Sequence, residues 1–144
     1  MASINCGRMW MGGLVGGLAW VAWSTIVNIV FLGPRYEAAQ AAGHFLSEPR
    51  YGLFTATWIL ILMALGVVVS LLYSSVRGTC GAGPKTALIV GLLFGFAAGV
   101  PANFAMATWG TFDRIFPFWW MLELWLGAII AALTAGSLYK EAGA

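Results

Sequence analysis

Glu123 is the one ionisable side chain that lies well inside a long apolar segment of this sequence. If that segment crosses a bilayer, an ionised carboxylate there costs about 2.5–3.5 kcal/mol on insertion scales. Such a group is therefore expected to face the protein interior, to be protonated, or to pair with a cation. Polar side chains occur at similar depths in the three other apolar segments: Asn28, Thr55, Thr57 and Asn103.

These five side chains predict an intramembrane polar cluster, and two interpretations of it are open. In the first, the cluster lines a polar pocket that has Glu123 as its charged centre. In the second, it is a set of interhelical hydrogen bonds that only fixes packing, as is common in membrane helices. Pro101 precedes Asn103 by two residues and removes one backbone hydrogen bond at the same level.

Other kinds of chemistry find little support. His44 is the only histidine, and its spacing from Glu37 and Glu48 matches no compact metal motif. A Ser/His/Asp set and paired carboxylates are also missing, so the sequence predicts no catalytic residue, no metal, no cofactor and no enzyme. The formal charge of +2 is scattered along the chain. Nucleic acid is therefore not expected as a partner.

The segments that must position the polar residues are recognised by composition. The chain has 144 residues, of which 61% are hydrophobic and 8% charged, and its mean hydropathy is +0.89. A membrane-spanning helix needs roughly 20 mainly apolar residues, and four such stretches are present: residues 9–32, 52–76, 86–109 and 117–139. We therefore predict an all-α membrane protein, a single domain over residues 1–144, whose four transmembrane helices form an antiparallel bundle in a lipid bilayer.

The boundaries of these segments carry glycine and proline. Gly33-Pro34 is expected to end the first span, and the loop of residues 33–51 has an alanine-rich centre that predicts one or two turns of interfacial helix. Residues 77–85 form a glycine-rich reversal between the second and third spans.

Small residues recur at intervals of four within the spans. At that spacing they form a smooth face that lets two helix backbones approach closely. One interpretation is packing inside the bundle, and the other is an interface with a second copy or with another membrane protein. The predicted helix-packing glycines are Gly13, Gly17, Gly91, Gly95, Gly99 and Gly127.

The two halves of the chain are similar to each other. The pattern Gly13-Leu14 followed by Gly17 returns as Gly91-Leu92 followed by Gly95, and the dipeptide Leu72-Tyr73 returns as Leu138-Tyr139. These matches indicate two duplicated hairpins that enter the membrane from the same side.

Charge predicts the orientation of the spans. Cytoplasmic loops carry an excess of Lys and Arg, and four such residues fall on the side of the termini against three on the other. With the acidic loop residues also opposite, both termini are predicted to be cytoplasmic. Cys6 and Cys80 then share one side, either as a disulfide or, as we favour, as two reduced thiols.

The chain resembles a family of small bacterial four-helix integral membrane proteins that have no assigned activity. The residues that carry the resemblance are Gly12-Gly13-Leu14-Val15, Asn28, Leu72-Tyr73, the loop of residues 81–87, Glu123 and Leu138-Tyr139-Lys140-Glu141. Members of that family often carry an acidic residue just after the asparagine, where this chain has Ile29. The resemblance implies a multi-pass fold in a bacterial inner membrane. It does not point to any particular activity.

Two classes of function follow. The first is a non-enzymatic accessory or assembly subunit, which packs against another membrane protein or against itself as a homo-oligomer. The second is a small oligomeric transporter or channel with a polar site around Glu123. The glycine faces favour the first class, and the intramembrane carboxylate favours the second.

Overall fold

The computed structural model describes residues 4–140, and most of that range is helical. Glu141, which belongs to the family resemblance, lies outside the described residues. The five α-helices are α1 (Cys6–Ile26), α2 (Gly33–Ala41), α3 (Phe54–Cys80), α4 (Pro84–Trp109) and α5 (Ile115–Leu138). A π-helical turn, Val27–Phe31, continues α1.

Four of these segments are long and apolar enough to cross a membrane, namely Cys6–Phe31, α3, α4 and α5, with mean hydropathies of 1.7 to 2.5 in their apolar windows. The predicted all-α fold with four transmembrane helices is confirmed, and the chain is a multi-pass membrane protein. Helix α3 begins at Phe54, inside the predicted span of residues 52–76, and continues past its end through Arg77 to Cys80. Its last turn is polar and projects beyond the apolar part of the helix.

The first apolar span ends at Phe31, one residue before the predicted end at residue 32. Gly33-Pro34 follows this end and opens α2. Proline is tolerated in the first turn of a helix, where its missing N–H would have no partner. The chain therefore changes direction at the π-helical turn and at Leu32, which is completely buried.

Close backbone approach joins α1 to α3. A methyl group built on Gly13 would lie 2.6 Å from the Cα of Val67, and one built on Gly17 would lie 3.0 Å from the Cα of Met63. From the α3 side, a methyl group on Gly66 would lie 2.6 Å from the Cα of Gly17. Partner numbers fall as the α1 numbers rise, so the two helices are antiparallel.

Close approach at glycines also joins α4 to α5. A methyl group on Gly91 would meet the Cα of Ile129 at 2.6 Å, and one on Gly95 would meet the indole of Trp125 at 2.7 Å. Gly99 continues the row toward Met121. In both hairpins the first helix contributes glycines to the close contact. The duplication of the hairpins stays a prediction from sequence.

A seam of small residues joins α1 to α5. Gly12 faces Ala135 and Gly16 faces Ala131, with a built methyl group only 2.8 Å from the carbonyl oxygen of Ala131. Gly127, on α5, is covered by the indole of Trp20. The predicted packing glycines are therefore used inside the chain. Their faces are covered by the chain's own backbone and side chains, which supports the interpretation of packing inside the bundle.

Two tyrosines close the end of the bundle that carries the termini. The Tyr73 hydroxyl accepts a hydrogen bond from the backbone N–H of Gly83 at 3.2 Å, and the Tyr139 hydroxyl accepts one from Asn5 at 2.9 Å. The two rings lie edge to face, with centroids 6.2 Å apart, and the Arg77 guanidinium lies 4.6 Å from the Tyr139 ring centre. A cation–π contact of this kind is attractive, so it helps to hold the helix ends together at this end of the bundle.

Candidate functional site

Glu123 lies in the first half of α5, eight residues after its first residue Ile115. At 1.5 Å per residue, this places the carboxylate about 12 Å into the helix from the end opposite the termini. The side chain is only 2% exposed. Glu123 therefore faces the interior of the bundle and not lipid.

Three neutral donors contact the Glu123 carboxylate. Its Oε1 accepts from the Ser24 hydroxyl and from the Trp58 indole N–H, the latter at 3.1 Å. Its Oε2 accepts from the Asn28 amide at 3.1 Å. An ionised carboxylate offers about four acceptor positions, so three donors leave it close to saturated but with capacity for one more partner.

The π-helical turn holds Asn28 in a second set of hydrogen bonds. The Asn28 amide also donates to the Ser24 carbonyl at 3.0 Å, and its Oδ1 accepts from the Tyr36 hydroxyl at 3.0 Å. The Trp120 indole donates to that hydroxyl at 2.8 Å. Burial raises the pKa of the Tyr36 hydroxyl, so it stays protonated and donates. Helix α2 is thereby connected to the Glu123 site.

Two further indoles fasten α1 to α5 at this level. Trp20 donates its N–H to the backbone carbonyl of Glu123 at 3.2 Å, and Trp23 donates to the carbonyl of Leu122 at 3.3 Å. Trp20 is completely buried. These bonds fix the rotation of α5 about its axis, and so they fix the direction in which the Glu123 side chain points.

Beside the carboxylate is a cavity of about 820 Å³. It lies at the end opposite the termini, between the second half of α1, the first half of α3 and the loop after α2. Its walls are mainly apolar and contain five aromatic side chains: Tyr36, Phe45, Phe54, Trp58 and Trp120. None of the described residues that line it is basic. Two of them are acidic: Glu123 and the loop residue Glu48.

The predicted polar cluster is brought together in part. Asn28, Thr55, Asn103 and Glu123 all line this cavity. The Asn103 amide, however, donates to the Gly99 carbonyl of its own helix at 2.8 Å, and not to Glu123. Pro101 does not break α4, which runs through it to Trp109.

Thr57 was assigned to this cluster wrongly. Its side chain is exposed and does not line the cavity. Successive helical residues turn by about 100°, so Thr55 and Thr57 point about 200° apart and cannot both face one site. Trp58, three residues after Thr55, shares its face.

Ser24 and Trp58 contact Glu123 and are not among the residues predicted from the sequence, although both carried a usable signal. Ser24 lies four residues before Asn28, and residues four apart on a helix are neighbours on one face. Trp58 lies three residues after Thr55 and Trp120 lies three residues before Glu123, so each shares a helix face with a predicted residue. Tyr36 carried no such signal, because its approach depends on the turn between α1 and α2.

Within residues 4–140 no group of three or more His, Cys, Asp or Glu side chains lies close enough to hold a metal ion. A second cavity, of about 600 Å³, lies at the loop end of the bundle, and its lining includes His44, Arg35 and Asp113. Cys6 and Cys80 are both free and exposed.

Comparisons with protein-family models, with curated proteins and with solved structures find no match for this chain. The resemblance to the bacterial family therefore remains a prediction from sequence. The structure shows the all-helical fold, its four apolar spans and the buried carboxylate beside a cavity.

Proposed function

We propose that this chain is a non-enzymatic integral membrane protein that holds, beside Glu123, an apolar molecule carrying one polar group. The observation that carries the proposal is a buried carboxylate on the wall of an aromatic-lined cavity of about 820 Å³. Ligand pockets typically have volumes of about 300–1,000 Å³, mostly apolar walls and a few polar groups. The site has this composition.

A cluster that only fixes packing needs no adjoining cavity, because protein interiors are normally close-packed. The accessory-subunit hypothesis rested on glycine faces, and these are used within the chain. Binding in the cavity therefore has the stronger support. Assembly into a homo-oligomer or a larger membrane complex stays a prediction from sequence.

We further place the protein in a bacterial inner membrane with both termini in the cytoplasm. The family resemblance supports the first statement, and the distribution of Lys and Arg supports the second.

The shared side of the termini can be tested by thiol labelling. Cys6 and Cys80 are exposed near the same end of the bundle. With a membrane-impermeant maleimide we expect both thiols to be protected in intact cells and labelled after lysis. The single variants Cys6→Ser and Cys80→Ser separate the two signals. Labelling of only one thiol in intact cells would contradict the even number of crossings between them.

A cavity-filling variant tests the binding site. Ala102 and Ala105 are both exposed on α4, but only Ala102 lines the cavity. In nanodiscs of phosphatidylcholine, we expect Ala102→Phe to weaken binding of triphenylmethanol, an apolar molecule with one hydroxyl, at least about fivefold, because the added ring occupies the cavity. Ala105→Phe serves as the matched control and should bind like the wild type. Equal binding by both variants would count against the site.

A further inference from the structure

We propose that the molecule held beside Glu123 is an organic cation with an apolar body. This inference rests on the proposed function of the cavity and adds the chemical class of the ligand. Three features of the site support it: the sign of its charges, the nature of its walls, and the number of ligand atoms it offers.

The charges of the site are of one sign. Glu123 and Glu48 both line the cavity, one buried on α5 and one exposed on the loop. None of the described lining residues is basic, and the partners of the Glu123 carboxylate are a hydroxyl, an indole and an amide. Such donors hold a carboxylate in place without cancelling its charge. An opposite charge brought into this low-dielectric site is strongly attracted.

The walls suit the body of the same ligand. A cation over the face of an aromatic ring is attracted by the ring quadrupole, and tryptophan is the most effective ring. The Trp58 indole contacts the carboxylate directly and stacks on Phe54, with ring centroids 6.2 Å apart. Trp120 and Tyr36 line the cavity beside them. Negative charge and aromatic surface therefore lie together.

An inorganic cation fits less well. Calcium takes six to eight oxygen ligands, and magnesium requires a near-ideal octahedron. The carboxylate already accepts three hydrogen bonds, and within residues 4–140 no acidic or histidine cluster adds further ligands. An ammonium or phosphonium centre with apolar substituents needs one charge and an apolar surface, which the cavity supplies.

Three probes of similar size and different charge test the proposal: tetraphenylphosphonium, neutral triphenylmethanol and anionic tetraphenylborate. For each probe we measure binding to the full chain in nanodiscs of phosphatidylcholine, and we attribute to the cavity the binding that Ala102→Phe abolishes. At this site we expect the phosphonium to bind at least about tenfold more tightly than triphenylmethanol. The borate should show no binding that Ala102→Phe abolishes. Glu123→Gln should remove the preference for the phosphonium over triphenylmethanol, so that these two probes bind with a ratio of affinities of about one.

A second variant leaves Glu123 in place. Thr55→Lys puts an ammonium group into the cavity wall, where it competes with the ligand, and should weaken phosphonium binding at least about tenfold. Thr57→Lys adds the same charge two residues away on an exposed face outside the cavity. It should bind phosphonium like the wild type.

The outcomes separate the two proposals. If triphenylmethanol binding depends on Ala102 but the phosphonium shows no preference, or if Thr55→Lys and Thr57→Lys behave alike, the cation proposal is overturned and the cavity remains a binding site. If no probe shows binding that Ala102→Phe abolishes, both proposals fail. A phosphonium preference that Glu123→Gln and Thr55→Lys both remove would support them together.

Discussion

Replacing Gly66 by leucine is expected to lower the free energy of unfolding by about 3 kcal/mol, at the upper end for overpacking a well-packed core. Gly66 lies where α3 touches the backbone of α1: an added methyl group would lie 2.6 Å from both the Cα and the nitrogen of Gly17 and 2.7 Å from the carbonyl oxygen of Gly13. Backbone atoms cannot rotate away as a side chain can. The two helices must therefore separate, and they lose close contact along the whole row.

The measurement is thermal unfolding in a mild detergent, followed by circular dichroism. Gly78 offers a matched control because it lies on the same helix, and a methyl group there would meet nothing within 4 Å. Gly78→Leu should unfold at nearly the wild-type temperature. If Gly66→Leu were equally stable, α1 and α3 could not be in backbone contact at this point.

Glu123→Leu is expected to lower the free energy of unfolding by a similar amount, about 3 kcal/mol. The change leaves the donors of Ser24, Asn28 and Trp58 without their carboxylate partner. A buried donor without a partner costs about 1–3 kcal/mol, although the Trp58 indole can still reach the Ser24 hydroxyl, 3.4 Å away. Glu123→Gln keeps the shape and an acceptor oxygen, so it should lose much less.

Chemical or thermal unfolding of both variants in the same detergent checks this prediction. The double variant Asn28→Leu/Glu123→Leu tests its cause, because removing one stranded donor should recover part of the lost stability. A double variant whose loss equals the sum of the two single losses would show that Asn28 and Glu123 do not interact.

The parts of the fold that local composition decides could be predicted from the sequence. All four spans follow from apolar length, because lipid requires every backbone polar group to be paired within the helix. That Glu123 faces inward follows from the cost of a carboxylate in lipid. The glycine rows indicated close helix contacts for a similar reason, since hydrophobicity gives no drive for helices to associate in a bilayer.

The parts that depend on helix rotation and on the loop could not be predicted in full. Depth in the membrane alone groups Thr55, Thr57 and Asn103 with Glu123. Which of these side chains meet depends on the face of the helix that each one occupies. Gly33-Pro34 is compatible both with the end of one helix and with the start of the next. That choice sets the position of α2, and with it the contact of Tyr36 with Asn28.

The bundle is closed at the end that carries the chain termini, so the cavity has no opening toward that end. The seam in which Gly12 meets Ala135 and Gly16 meets Ala131 leaves no space between α1 and α5, and the ring pair of Tyr73 and Tyr139 lies beyond it. A bound molecule can therefore exchange with one leaflet or one aqueous face only. Passage to the other side requires a second conformation in which that seam separates, and a ligand favours such a state only as far as it binds that state more tightly. Under the proposed function, the conformation described would take up and release its ligand on one side of the membrane only.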